Sequence, residues 1–135
     1  MKKIIGFTLI ELLITVVIVA ILVAISTVMY LSQVRAGRRV DAANTLSSMS
    51  LAEENYRTNN SSYGTLAQVW GGATTSTGGY YTLTITGVSA TGYTLTATAV
   101  GDQANDTESG TSCATITLVM SSGTITKTPS ACWPT

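Results

Sequence analysis

The sequence predicts an α+β fold: a long amino-terminal helix packed on a four-stranded antiparallel sheet, with a disulfide closing a carboxyl-terminal loop. Three observations carry the prediction. An apolar run at residues 7–31 leads into an amphipathic helical pattern, four later segments alternate apolar and polar residues, and two cysteines, Cys113 and Cys132, bracket the last two of those segments.

Composition narrows the function classes before any motif is read. A chain of 135 residues has room for one small globular head beside a membrane segment. Formal charge is zero and only 10% of residues are charged, so nucleic-acid binding by bulk charge is disfavoured. Histidine is absent and the cysteines number two, which removes the materials for His-based acid–base chemistry, for Ser-His or Cys-His nucleophiles and for ordinary zinc sites. No enzyme, cofactor or metal is expected.

Lys2 and Lys3 precede the apolar run Phe7–Leu31, which as a helix exceeds the ~20 residues needed to cross a bilayer core. Basic residues ahead of the run favour a cytoplasmic amino-terminus and export of the remainder, an argument that Arg35, Arg38 and Arg39 on the far side weaken unless they sit at lipid headgroups. A solvated or lipid-facing cluster is expected of them ahead of pairing with acids on neighbouring subunits. The run is too long for a secretory signal peptide and for an ordinary core helix. A plain anchor accounts for everything except Glu11. A carboxylate inside a membrane helix costs about 2.5–3.5 kcal/mol on insertion scales, so it implies a partner or a function. A cut just before Phe7 supplies one: the new amine lies four residues from Glu11, and the carboxylate of one helix neutralises the amine of a neighbour.

Lys2-Lys3-Ile4-Ile5-Gly6 followed by Phe7-Thr8-Leu9-Ile10-Glu11 resembles the leader and cleavage site of type IV prepilins. The resemblance implies cleavage between Gly6 and Phe7 by a membrane-embedded prepilin peptidase, N-methylation of Phe7, and a subunit-docking role for Glu11. It also implies the type IV pilin fold. Pilins of this kind commonly carry a glycine and then a proline within the helix. Here Ala20 and Val28 stand at the corresponding positions, so a straighter, less melted helix is expected.

From Val34 to Arg57 the pattern turns amphipathic, with Ala42, Leu46, Met49, Ala52 and Tyr56 on the packed face. Asp41, Asn44, Glu53 and Arg57 are expected elsewhere, with Glu53 and Arg57 forming a surface pair four residues apart. Asn59 to Gly79 reads as a flexible surface connection, with Tyr56, Tyr63 and Trp70 buried against the sheet. Strands are expected at residues 81–85, 93–99, 114–120 and 124–127, with turns at 87–92 and at Ser121-Ser122-Gly123. Tyr81, Leu83, Ile85, Leu95, Ala97, Ile116, Leu118 and Ile125 make the apolar face that the amphipathic helix covers.

An exported domain with two cysteines pairs them, so Cys113–Cys132 is expected, contributing about 3 kcal/mol in the chain-entropy model. In the family this loop bounds the D-region, and the run from Tyr93 through Cys113 to Cys132-Trp133 is similar to PilE-like minor pilins. The chain thus divides into a leader at 1–6, a transmembrane and filament-core helix at 7–31 and an amphipathic helix at 32–58. A connecting loop at 59–79 and a head at 80–135, with its D-region at 113–132, complete it.

The expected function is a structural subunit of a type IV pilus, most similar to minor pilins, serving pilus biogenesis, twitching motility, adhesion or DNA uptake. Its partners are other pilins, the prepilin peptidase, the inner membrane and the assembly machinery. It is a single-pass inner-membrane precursor first, and part of an extracellular filament afterwards. A secretion pseudopilin is the alternative, kept open by a weak calcium reading of Asp102, Asp106 and Glu108. A filament DNA-binding subunit is disfavoured, because beyond Asn60 the head has only Lys127 against those three acids.

Overall fold

The computed structural model describes residues 6–134, without the side chains of residues 27 and 28. Lys2, Lys3 and the rest of the leader before Gly6 lie outside the described residues. The chain divides into two compact units, Met1–Gln33 and Val34–Thr135.

In the first unit, helix α1 begins; it is assigned over Leu9–Asn59 and includes both Ala20 and Val28, consistent with residues that do not break a helix. Thr8 starts it: the Thr8 hydroxyl accepts the Glu11 N–H at 3.3 Å, satisfying one of the donors that every helix start leaves open. The described side chains from Phe7 to Leu31 are all exposed, and an 18-residue window of this stretch has a mean hydropathy of 3.0. It is long and apolar enough to cross a bilayer, and so dense an apolar surface calls for lipid or other apolar helices around it.

In the second unit, the remainder of α1 covers one face of an antiparallel sheet. Its strands are β1 (Tyr81–Thr86), β2 (Gly92–Ala99), β5 (Thr115–Ser121) and β6 (Thr124–Thr128), in the order β1-β2-β5-β6. A short hairpin of β3 (Thr107–Glu108) and β4 (Thr111–Ser112) lies between β2 and β5 in sequence. Period-two alternation is visible in burial: Tyr81, Leu83, Tyr93, Leu95, Ala97, Ile116 and Leu118 point into the core. Facing them from α1 are Ala42, Ala43, Leu46 and Met49. The β5–β6 turn is built at Ser122 (φ 49°) and Gly123 (φ 84°), the paired positive-φ geometry that joins twisted strands tightly.

Four expectations are corrected. Ile125 is 46% exposed, and every residue of β6 is exposed, because this edge strand lies beyond the cover that the core receives. Ile85 is partly buried at the other side of the core rather than enclosed by it. Ala52 and Tyr56 are half-buried. The connection 59–79 holds a short helix, α2 (Leu66–Trp70), whose start is fixed by the Gln68 side chain accepting the Thr65 N–H at 2.8 Å. Tyr63 and Trp70 pack against the core as expected, Tyr63 edge-on to Tyr93 with ring centroids 4.6 Å apart.

Cys113 and Cys132 are joined, with Cα atoms 5.6 Å apart. The bond ties the start of β5 to a 3₁₀ turn at Ser130–Cys132, and both cysteines are fully buried.

Candidate functional site

Two groups of residues carry the functional argument, one in each unit. At the amino-terminal end, Gly6, Phe7 and Thr8 lie outside the helix, and the Phe7 side chain is 81% exposed. Glu11 stands in the first helical turn, also exposed. The peptide bond between Gly6 and Phe7 is therefore in non-helical chain next to a helix start. Glu11 sits where the unpaired N–H groups of that start favour a negative side chain. Thr8-x-x-Glu11 is itself a capping signature, and its spacing is visible in the sequence.

In the head, each of the three arginines meets a partner within the chain, Arg35 and Arg39 carboxylates and Arg38 an aromatic ring, where the sequence alone suggests a solvated or lipid-facing cluster. Arg35 grips Asp102 with two bonds, Nε to Oδ2 at 3.0 Å and Nη2 to Oδ1 at 2.8 Å. Arg39 grips Asp106 in the same way, at 2.7 and 3.1 Å, and reaches Glu108 through Nη1 at 3.0 Å. Asp102 lies within a 3₁₀ segment at Gly101–Asn105 and Asp106 directly follows it, so this pairing fastens the segment to α1. Gln103 completes the join, its Nε2 donating to the Arg35 carbonyl at 3.0 Å and to the Tyr81 hydroxyl at 2.9 Å. Arg38 lies over the Tyr80 ring, 4.3 Å from its centroid.

The two ion pairs differ in kind. Arg39 and Asp106 are 8% and 2% exposed, so each depends on the other for solvation lost in the core. Burial alone would depress the Arg39 pKa, but its hydrogen bonds to Asp106 and Glu108 outweigh this and raise it. Arg35 and Asp102 are 21% and 53% exposed. Their hydrogen bond raises the arginine and holds Asp102 below the usual carboxylate range, with Arg38 adding a second nearby cation. All three acids that kept the calcium reading open are thus engaged by guanidinium groups, the physical reason that reading lapses. Among the described residues no group of three or more His, Cys, Asp or Glu is placed to hold a metal.

Glu53 corrects the expected surface pair. It is fully buried and accepts the Gly64 N–H at 2.7 Å, while its Oε1 has no hydrogen-bond partner. Burial raises its pKa, the Gly64 bond opposes the rise, and Glu54 adds to it. Arg57 turns away to the Asn60 carbonyl at 2.7 Å and toward the Tyr63 ring. The signal was present: 42, 46, 49 and 53 form one helical stripe, and a carboxylate on that stripe faces the core.

The long apolar amino-terminal helix, the antiparallel four-stranded sheet and the disulfide near the carboxyl-terminus together make the fold of a type IV pilin. The prokaryotic N-terminal methylation motif model matches residues 1–27. The model described as type IV minor pilin ComP, DNA uptake sequence receptor, matches residues 29–117, more than half of the chain, and the chain belongs to this family. No curated protein matches the chain. It is a type IV minor pilin, a structural subunit that assembles with other pilins.

Proposed function

We propose that this minor pilin is made as a bilayer-anchored precursor and cut between Gly6 and Phe7 by a prepilin peptidase. It is then N-methylated on Phe7 and drawn by the assembly machinery into a surface filament that serves DNA uptake. Twitching and adhesion are further outputs of the same filament. One observation carries the reading: a methylation-motif match over residues 1–27 coincides with a helix start that displays Phe7 and Glu11 ahead of an apolar stretch whose described side chains are all exposed.

The physical sequence is a change of solvent. Residues 7–31 bury their apolar surface first in lipid and then among neighbouring helices, so the hydrophobic driving force persists across extraction. Cleavage removes Lys2 and Lys3 and creates an amine at Phe7. Glu11 of an adjacent subunit neutralises it, which gives each incoming helix a fixed depth. Glu11→Ala is expected to leave cleavage intact and to reduce incorporation into filaments, measured by the ratio of processed chain in sheared pili to that in membranes. Unchanged incorporation would remove the docking role.

The family model's description favours a second reading, direct contact with DNA. Arg35 and Arg39 are held by carboxylates, and Lys127 lies 4.7 Å from the centroid of the Trp133 ring, so a DNA surface on this head has few uncommitted cations. A mobility-shift titration of the processed chain with duplex DNA over a range of salt separates the two. Retardation that weakens steeply with salt supports direct contact. No retardation at low salt confines the chain to a structural part in uptake.

A further inference from the structure

We propose that the Arg35 guanidinium has two alternating anionic partners: a phospholipid headgroup phosphate while the chain is in the bilayer, and the Asp102 carboxylate once it is in the filament. The argument begins with what the Asp102 pair is. A guanidinium fork binding both carboxylate oxygens, at 3.0 and 2.8 Å, presents the geometry by which arginine also takes two oxygens of a phosphate. Asp102 is 53% exposed and Arg35 21%, so water reaches both ions, and exchange strands neither of them in the core. Arg39 is the internal contrast: its partner Asp106 is 2% exposed, which fixes that pair in place.

Exchange at Arg35 needs only a rotation of its side chain. The backbone of that turn stays tied to the head, because the Arg35 carbonyl accepts Gln103 Nε2 at 3.0 Å whichever anion the guanidinium holds. Arg38, over the exposed Tyr80 ring and close enough to lower the Asp102 pKa, gives the same anion site a second cation.

Chain length names the competing anion. The apolar stretch ends at Leu31, and four residues reach at most about 14 Å, so Arg35 stays near the bilayer edge at any chain direction. The headgroup layer outside the hydrocarbon core is about 5–7 Å deep on each side, within reach of an arginine that extends its stem toward phosphate. Extraction removes the phosphates, and Asp102 replaces them. The head thereby leaves the bilayer without an unpaired guanidinium.

This inference rests on residues 7–31 spanning the bilayer, and co-flotation of the chain with vesicles in the same samples checks that reading separately. The test is a double-substitution cycle, Arg35→Gln with Asp102→Asn, on the processed full-length chain, read as the unfolding constant of the head. It is run in maltoside micelles, which carry no phosphate, and in vesicles of phosphatidylethanolamine and phosphatidylglycerol. In micelles the two substitutions should be non-additive by a few-fold; in vesicles they should be additive. Equal coupling in both media overturns the proposal. So does loss of coupling in micelles on adding inorganic phosphate or a short DNA duplex at the same phosphate concentration, which would assign the site to free phosphate or nucleic acid. The unsubstituted chain provides a second readout that requires no variant to fold. The Arg35 Nε resonance should move between micelles and vesicles while that of Arg39 stays, and an Arg35 resonance identical in both refutes the exchange.

Discussion

Removing the Asp106 carboxylate is the sharpest test of how this small head holds together. Asp106 is 2% exposed and accepts two bonds from Arg39, at 2.7 and 3.1 Å, and Arg39 is itself only 8% exposed. In Asp106→Ala, the guanidinium keeps one anchor, Glu108, through Nη1. Stripping one member from a buried pair costs about 3–5 kcal/mol, and the surviving Glu108 contact places this case near the lower end, about 3 kcal/mol. A domain of roughly 100 residues has about 5–15 kcal/mol in total, and each kcal/mol moves its midpoint by about 4–8 °C, so a fall of about 12–24 °C is expected. Near-ultraviolet circular dichroism during thermal melting of the processed chain reads this directly, because Trp133 lines the same groove as Arg39 and Glu108. Arg39→Met combined with Asp106→Leu should recover most of the loss, since a buried ion pair contributes little net stability relative to apolar side chains of similar volume. If Asp106→Ala melts within a few degrees of the unsubstituted chain, or the double variant melts as low as the single one, the pair is not the buried clasp described here.

Other outcomes follow from the same structure. Burial raises the Glu53 pKa above its ordinary value of 4.5, so the stability it adds is complete below that pH and is lost as pH rises through the folded value. The stability difference between unsubstituted chain and Glu53→Gln should therefore fall from about pH 4.5 upward in pH-dependent melts, and a flat or rising difference refutes the assignment. Reducing Cys113–Cys132, or replacing both cysteines by serine, should cost about 3 kcal/mol in chemical denaturation, chiefly by freeing the unfolded chain. A denaturation midpoint unchanged by reduction would show that the loop is held without the bond. Gly64→Ala brings a Cβ to 2.5 Å from the Val69 side chain and displaces the N–H that serves Glu53. Melting should drop while filament incorporation through residues 7–31 persists, and an unchanged melting temperature would show that the segment yields at no cost.

Much of the fold is legible along the chain because its determinants are local. The apolar stretch from Phe7 to Leu31 announces its solvent by length alone, and Thr82-Leu83-Thr84-Ile85 announces a two-sided strand by alternation. The turn at Ser122-Gly123 is readable because few residues tolerate two successive positive φ angles. The cysteines imply their bond once export is inferred, since only two are present.

What the tertiary structure alone decided is which charge meets which. Arg35 and Asp102 are 67 residues apart, as are Arg39 and Asp106, and no local period links them. In sequence they are a basic run and a scatter of acids, open to lipid, neighbouring subunits or a metal. Only the sheet order, which carries the chain from β2 through a 3₁₀ segment back beside α1, brings them into contact. Glu53 differs in degree: its stripe is visible, but the Gly64 donor that meets it belongs to a loop whose path the helix does not dictate. Hydrophobic patterning is additive along a chain and can be read there, whereas ion pairing depends on distance in space, which the sequence encodes only through the completed fold.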